Sequence, residues 1–223
     1  MNIFKHQNNP LFQTVKIQLY FLSSANGIPK SFVIFANRIR KRDKRKLAMK
    51  ETTYKYISHF CSKLGEMTLA SDREALTGLW FDGQKHFPRG LEEAEEDDFQ
   101  PVFDDTRRWL DIYFTGREPD FKPQLRPVGT AFQQWVWQTL LRIPYGETTT
   151  YGAIAKLLAS ETDSSSMSAQ AVGNAVGRNP ILIIIPCHRV IGADGNLTGY
   201  AGGIKRKQAL LQLEKADMLF GRL

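Results

Sequence analysis

The sequence has few cysteines and no long apolar run. Its 223 residues contain two cysteines, Cys61 and Cys187, too few for a disulfide framework. No stretch approaches the roughly 18 consecutive apolar residues that a membrane-spanning helix needs. The apolar segment 17–22 is interrupted by Gln18 and precedes no small-residue cleavage pattern, so no signal peptide is predicted. We therefore expect a cytoplasmic protein that does not enter a membrane.

Acidic residues are nearly absent from the first 48 positions, which carry ten of the 30 Lys and Arg residues and one of the 23 acids. The basic run over 38–46 is typical of a solvated, flexible arm. A nucleic-acid-binding tail is one alternative, and an extension upstream of a natural start at Met49 is another. We favour the extension and predict that residues 1–51 lie outside the fold.

The remaining charge is unevenly divided. Residues 49–126 carry 11 basic and 16 acidic groups, whereas residues 127–223 carry nine and six. Any surface that faces phosphate is therefore expected in the carboxy-terminal part, although such a small positive excess is also common in domains without an anionic partner. The length fits two small domains, each with its own core.

A small sheet and a helix are predicted first. Short apolar stretches over 54–60, 67–70 and 76–81 are separated by turn residues, which is typical of antiparallel strands. Apolar residues then recur at helical spacing between Asp104-Asp105, which suits a helix start, and Gly116, which suits its end. Prolines after this helix indicate an extended linker. The predicted domains are 52–120 and 129–218, joined by a linker over 121–128.

Three short helices are predicted after the linker. Thr130 followed by Gln133 resembles a capping box, and the apolar stripe behind it ends at a Pro-Tyr-Gly turn. A second helix is predicted over 151–158 and a third over 168–176. Three short helices with tight connections form the outline of a helix-turn-helix. The third helix is rich in Ala and Gly, which indicates either tight packing inside the protein or close approach to DNA.

The apolar run 181–185 predicts a fully buried strand that leads to Cys187. A cysteine behind five aliphatic residues is more often an inert core residue than a nucleophile. Its neighbours favour chemistry, because Pro186 interrupts the strand and His188 and Arg189 bring polar groups that an apolar core lacks.

A nucleophilic role for Cys187 requires a base or a positive environment, because a thiol with a pKa of about 8.5 is mostly protonated at neutral pH. His188 is the candidate base. Neighbouring residues on a strand point to opposite faces, so we expect contact through a bend or a water molecule. An acid should orient the imidazole, and Glu214, in a terminal helix predicted over 204–216, has the best position.

Together these residues resemble the O6-alkylguanine-DNA alkyltransferase family, also called methylated-DNA-protein-cysteine methyltransferases. The similarity covers residues 52–217 and is strongest over 127–217. Its signature segments are Asn179-Pro180, Pro186-Cys187-His188-Arg189-Val190, Gly199-Tyr200-Ala201-Gly202-Gly203 and Glu214.

The resemblance implies an α/β (α+β) fold. A small RNase H-like α/β amino-terminal domain would support a helical, winged helix-turn-helix-like catalytic domain. We expect no cofactor and no metal, since His59 and Cys61 are too few for the four-ligand zinc site that some relatives hold there. We expect a monomer that acts on double-stranded DNA carrying O6-alkylguanine, with O4-alkylthymine left open as a second substrate.

The roles that the resemblance implies describe one irreversible transfer. A flipped-out guanine enters a pocket, and the sulfur of Cys187 takes the alkyl group. Glu214 would orient His188, which would draw the thiol proton through a water molecule, and Asn179 would brace the turn before the cysteine. These four are the predicted catalytic residues.

The resemblance also implies a set of DNA contacts. Tyr151 would help to rotate the target nucleotide, and Tyr200 would wall the pocket and return a proton to the guanine. The third helix would enter the minor groove, where Gln170 replaces the arginine that usually fills the gap left by the flipped base. Weaker or slower flipping is therefore expected. The predicted DNA- and base-binding residues are Tyr151, Gln170, Asn174, Arg178, Arg189 and Tyr200.

Two other functions stay open on the residues alone. A Cys-His hydrolase uses the same two residue types, but it needs an oxyanion hole and repeated turnover. A non-catalytic DNA-binding module would keep Cys187 as a structural residue.

Overall fold

The computed structural model describes residues 54–162 and 166–215. The predicted extension over 1–51 and the predicted start at Met49 lie outside the described residues. Within these ranges the chain forms a four-stranded sheet, a two-stranded sheet and five α-helices. The predicted α/β class, with a sheet-containing domain before a helical one, is confirmed.

Two successive hairpins build the amino-terminal sheet. Strands β1 (Tyr56–Ser62), β2 (Gly65–Ser71) and β3 (Leu76–Phe81) pair antiparallel in chain order, which confirms the three predicted strands with somewhat different bounds. Leu69 and Leu79 lie opposite each other on β2 and β3, and both are fully buried. One face of the sheet therefore forms part of the core.

A fourth strand makes the sheet mixed. Strand β4 (Glu95–Glu96) runs parallel to β1, and the strand order is β3-β2-β1-β4. The prediction of an antiparallel sheet is wrong at this edge. A two-residue strand inside an acidic run has no periodicity that a sequence pattern would show.

Helix α1 (Pro101–Tyr113) packs against β2 and β3. It begins before the predicted Asp104-Asp105 start, because Pro101 occupies the first helical position, where a missing N–H breaks no helical bond. Tyr113, its last residue, is fully buried and belongs to a core that continues into the helical domain.

The predicted linker is extended and pairs with β3. Leu125 forms a parallel bridge with Leu76, and Arg126 donates its backbone N–H to Leu76 O at 2.8 Å. The Arg126 guanidinium also pairs with Asp72, and with Glu74 at 3.0 Å. The linker therefore fixes the start of the helical domain against the sheet.

Three helices form the predicted helix-turn-helix outline. Helix α2 (Ala131–Leu140) begins with the predicted capping box between Thr130 and Gln133, which is confirmed. Helices α3 (Tyr151–Ser160) and α4 (Ala169–Val176) each begin at a hydroxyl side chain that accepts a backbone N–H. Local capping chemistry thus decides where each helix starts.

The segment after α4 differs from the prediction. Residues 181–185 are buried, but only Ile181 makes a strand-like bridge, with Leu79 of β3. Residues 182–184 form a turn in which Ile183 has a φ of +67°, an uncommon conformation for a β-branched residue. The strand prediction is therefore wrong, because an apolar run indicates burial and does not show which backbone it pairs with.

Short elements complete the helical domain. Strand β5 (Thr149–Thr150) pairs in parallel with β6 (Val190–Ile191). Helix α5 (Ile204–Leu213) ends earlier than predicted, and Glu214 is its C-cap residue. None of the helices in the described part of the chain has both the length and the apolar character needed to cross a bilayer.

Candidate active site

Cys187 opens a buried 3₁₀ turn, Cys187–Arg189, and is 3% exposed. Burial raises the pKa of the Cys187 thiol to about 11, although a hydrogen bond from Asn179 and the charge of Lys207 act in the opposite direction. The resting sulfur is therefore a thiol. It requires a base that takes its proton during any reaction.

Asn179 holds both the turn and the sulfur. Its Nδ2 donates to Cys187 Sγ at 3.1 Å and to Ile185 O at 2.8 Å. Its Oδ1 accepts the backbone N–H of Ile181 at 2.9 Å. A single buried side chain therefore closes the irregular segment and places the thiol at its end.

His188 and Glu214 form a fully buried pair, with 2.7 Å between His188 Nε2 and Glu214 Oε1. Because a carboxylate only accepts, we assign the ring hydrogen to Nε2, which leaves Nδ1 as an acceptor. Nδ1 is buried and has no partner among the described residues. Burial lowers the pKa of His188, against the influence of Glu214, so the resting imidazole is neutral.

Glu214 is a charged carboxylate held by several donors. Its Oε2 accepts from Arg189 Nε at 2.8 Å and from the Gly146 N–H at 3.3 Å, and its Oε1 accepts from Arg189 Nη2 at 3.0 Å. Burial alone raises the pKa of Glu214. His188 and Arg189 outweigh burial and hold that pKa well below its ordinary value.

Arg189 is predicted to contact DNA, but the structure places its side chain in the buried network. It is 8% exposed, bonds to Glu214 through two nitrogens and donates Nη1 to Ile143 O at 2.7 Å. The Tyr145 ring lies 5.6 Å from its guanidinium carbon. These buried partners engage the guanidinium inside the protein. We therefore correct the prediction and assign Arg189 to the neutralisation of Glu214.

Sequence reasoning misses Tyr113. The amino-terminal domain is predicted only to support the other domain, yet the Tyr113 hydroxyl donates to Glu214 Oε1 at 2.6 Å. Burial and the charge of Glu214 raise the pKa of Tyr113 well above its ordinary value, so the hydroxyl stays protonated. One sequence signal could have found Tyr113, because it lies on the apolar stripe of the predicted helix. A tyrosine that is buried there needs a hydrogen-bond partner for its hydroxyl.

Sequence reasoning also misses Lys207 on α5. Its side chain is fully buried, and Nζ donates to Val190 O at 2.5 Å and to Thr198 O at 2.7 Å. Burial lowers the pKa of Lys207 to about 8, although the neighbouring Cys187 raises it. No sequence signal separates this lysine from the two basic residues that precede it, since only the packing of α5 decides which one points inward.

Two tyrosines lie near the thiol. The Tyr200 ring is buried, with its centroid 6.4 Å from that of His188, and its hydroxyl has no partner among the described residues. The Tyr151 hydroxyl donates to Thr198 O at 3.1 Å. Burial raises the pKa of both phenols, so each remains a hydrogen-bond donor.

Helix α4 presents a polar face outward. Gln170, Asn174 and Arg178 are exposed on or directly after this helix, whereas Val172 and Ala175 are buried. The predicted DNA-contacting residues of α4 therefore share the outer surface. They do not take part in the buried network around Cys187.

The fold and the site define a two-domain protein in which a helix-turn-helix lies next to one buried, braced thiol. The profile of the 6-O-methylguanine DNA methyltransferase DNA-binding domain matches residues 131–216, and that of the ribonuclease-like domain of the same methyltransferases matches residues 49–127. The methylated-DNA–protein-cysteine methyltransferase of Haemophilus influenzae is 42% identical over 161 residues, which cover 72% of this chain and 86% of the relative.

Two further relatives agree with this match. The methylated-DNA–protein-cysteine methyltransferase of Methanosarcina acetivorans is 46% identical over 160 residues, which cover 71% of this chain and 97% of the relative. The crystal structure of Mycobacterium tuberculosis OGT in complex with DNA is 45% identical, with a TM-score of 0.62, over 72% of this chain and 92% of that chain. The chain belongs to the 6-O-methylguanine DNA methyltransferase family, and the predicted RNase H-like amino-terminal domain is confirmed.

Proposed function

We propose that this protein repairs DNA by direct reversal of alkylation damage, as a methylated-DNA–protein-cysteine methyltransferase. It transfers the alkyl group from O6 of guanine to Cys187 once per protein molecule, because the thioether formed is stable. The observation that carries this proposal is the buried thiol next to His188, whose Nε2 is bound by the buried carboxylate of Glu214.

In the transfer, Cys187 Sγ forms a bond to the alkyl carbon while the bond between that carbon and guanine O6 breaks. The thiol proton passes through a water molecule to His188 Nδ1, the acceptor that the Glu214 contact leaves free. Glu214 stabilises the resulting imidazolium. Asn179 and Lys207 stabilise the negative charge that develops on sulfur.

The departing guanine keeps the electrons of the broken bond and takes up a proton. Tyr200 supplies it, because its hydroxyl is buried and protonated and has no competing acceptor among the described residues. The step uses no cofactor, since the protein's own sulfur is the acceptor.

The partner is double-stranded DNA that carries O6-alkylguanine, with O4-alkylthymine as a second candidate substrate. The complex of the M. tuberculosis relative with DNA and the exposed face of α4, with Gln170, Asn174 and Arg178, support this partner. The target base must leave the stack to reach the buried Cys187, which costs a few kcal/mol in unstacking. Tyr151 assists this rotation at the target phosphate.

We assign a role to each of three successive segments of the chain. Residues 52–120 form the supporting domain, 121–128 the linker and 129–218 the DNA-binding and alkyl-acceptor domain; the family profiles over 49–127 and 131–216 support this order of the two domains. The protein acts as a monomer, because one chain supplies every group named in the reaction. Its two free cysteines are compatible with a reducing cytoplasm.

Intact-protein mass spectrometry tests the proposal. After mixing with a duplex that contains one O6-methylguanine, the wild type should gain the mass of one methylene group, located on Cys187. The Cys61→Ala variant is the matched control and should gain the same mass, because Cys61 lies on β1 outside the site. The Cys187→Ala variant should gain none. An unchanged wild-type mass with an intact lesion would favour a DNA-binding module, and repeated product release would favour a hydrolase.

A further inference from the structure

The Tyr113 side chain connects the two domains inside the active site. Tyr113 ends α1 in the amino-terminal domain, yet its hydroxyl lies 2.6 Å from Glu214 Oε1 and 3.4 Å from His188 Nε2. Glu214 Oε1 is also the atom that faces His188 Nε2 at 2.7 Å. One carboxylate oxygen is therefore hydrogen-bonded to a phenol from one domain and to the imidazole from the other.

The packing of the Tyr113 ring leaves its hydroxyl little freedom. The ring is fully buried, stacks on Trp109 at a centroid distance of 5.1 Å and makes edge contacts with Tyr145 at 6.1 Å and with His188 at 6.5 Å. A phenylalanine would keep these contacts and remove only the hydroxyl. The effect of the hydrogen bond can thus be separated from that of packing.

We propose that Tyr113 is a positioning residue for alkyl transfer. Its hydroxyl donates to Glu214 Oε1 and thereby makes this oxygen a weaker hydrogen-bond acceptor toward protonated His188. This inference rests on the proposed function. The amino-terminal domain then does more than support the site, because it sets how readily the imidazole becomes protonated before the thiol reacts.

The direction of the effect follows from the donors around Glu214. Without the Tyr113 hydroxyl, Glu214 Oε1 keeps the donors of His188 and Arg189 and becomes a stronger acceptor toward the imidazolium. The pKa of His188 then rises. The titratable and charged groups packed around His188 are Tyr113 from α1, Cys187 and Arg189 from its own turn, Tyr200 from the loop before α5, Lys207 from α5 and Glu214 after it. Tyr145, from the loop after α2, packs against Tyr113 and Arg189.

The first test is the pH profile of single-turnover methyl transfer, measured from about pH 5 to about pH 8. Protonated His188 cannot accept the thiol proton, so the acidic limb of the profile reports its titration. In Tyr113→Phe this limb should move upward by about 0.5–1 pH unit, the equivalent of one net hydrogen bond. Tyr145→Phe is the matched control and should leave the limb in place, because its hydroxyl has no partner among the described residues. A limb that coincides with the wild type in Tyr113→Phe would overturn the proposal, even if the rate falls at every pH.

The second test does not need transfer. Side-chain NMR titration of His188 in the Cys187→Ala protein, with and without Tyr113→Phe, measures the imidazole directly. An upward shift of its midpoint in the double variant supports the inference, and an unchanged midpoint overturns it. A shifted midpoint in a protein whose wild type gains no methyl group would overturn the proposed function while leaving the link between Tyr113, Glu214 and His188 intact.

Discussion

The exposed face of α4 and the buried surroundings of Cys187 use polar side chains in opposite ways. On α4, Gln170 and Asn174 face outward, where water or a partner can satisfy them. Around Cys187, Asn179, His188 and Glu214 are buried, and their hydrogen bonds are made mainly to other protein groups. A change in the first region should therefore alter binding with little effect on stability. A change in the second should alter both methyl transfer and stability, because an unpaired buried polar group destabilises the fold.

The largest effect is expected for Glu214→Ala. This change leaves the buried donors of Arg189, His188 and Tyr113 without their acceptor, and should lower the free energy of unfolding by about 3–5 kcal/mol. Glu147→Ala, at an exposed position, should change it by about 0.5 kcal/mol or less. Urea unfolding of both variants measures the difference. Similar small losses in the two would contradict the expectation that buried polar groups contribute more to stability than exposed ones.

Deprotonation of Cys187 at alkaline pH should destabilise the folded protein. Burial raises the pKa of Cys187 from 9.0 to about 11. The folded protein thus holds the thiol proton more tightly than the unfolded chain, so this contribution is fully present below about pH 9 and is lost as the pH rises through about 11. The loss should approach 2–3 kcal/mol, roughly two pKa units. Unfolding experiments at increasing pH should show a steeper loss in wild type than in Cys187→Ala. Parallel curves would contradict the prediction.

Asn179 and Asn174 allow a direct comparison of a buried and an exposed side chain of the same type. Asn179→Ala removes the donor to Cys187 Sγ and the acceptor for Ile181 N–H, so it should cost about 1–3 kcal/mol and slow methyl transfer. Asn174→Ala, on the exposed face, should cost about 0.5 kcal/mol or less and mainly weaken DNA binding. Thermal unfolding and DNA titration of both proteins measure these effects. A stability loss of equal size at both positions would contradict the comparison.

The smallest stability change is expected for Gln170→Arg. The residue is exposed, so the free energy of unfolding should move by about 0.5 kcal/mol or less. A guanidinium adds charge and stacking, and should raise DNA affinity or the repair rate roughly threefold or more. Binding and single-turnover assays on one damaged duplex measure this gain. If neither quantity improves, Gln170 does not limit base flipping.

Local patterns predict the regular parts of the fold. The capping box at Thr130 and Gln133 marks a helix start because both partners lie within one turn of the chain. The three antiparallel strands follow from short apolar stretches between turns. Residues 181–185 fail as a strand because their only bridge is made by Ile181 to β3, about a hundred positions earlier in the chain. Strand β4 was not predicted for a similar reason, because it is defined by its pairing with β1, a strand that is distant in the chain.

The candidate site likewise contains residues that the sequence pattern identifies and residues that only the tertiary structure reveals. Cys187, His188 and Glu214 are found from a signature and its spacing, and the structure brings His188 and Glu214 into contact next to the cysteine. Arg189 belongs to the same signature, but its sequence position does not show that its guanidinium turns inward to Glu214. Tyr113 cannot be found from spacing, because it comes from the other domain.

The sequence by itself determined the two-domain order, the starts of helices α2, α3 and α4 and the position of the candidate reactive thiol, because these depend on residues close together in the chain or on one continuous motif. The tertiary structure alone decided which polar side chains are buried together. It placed Tyr113 on Glu214 and turned Arg189 and Lys207 inward. The physical reason is that burial and charge neutralisation are properties of the assembled core, where α1, the turn at Cys187 and the end of α5 meet. These segments are far apart in the chain, so no local sequence pattern predicts their contacts.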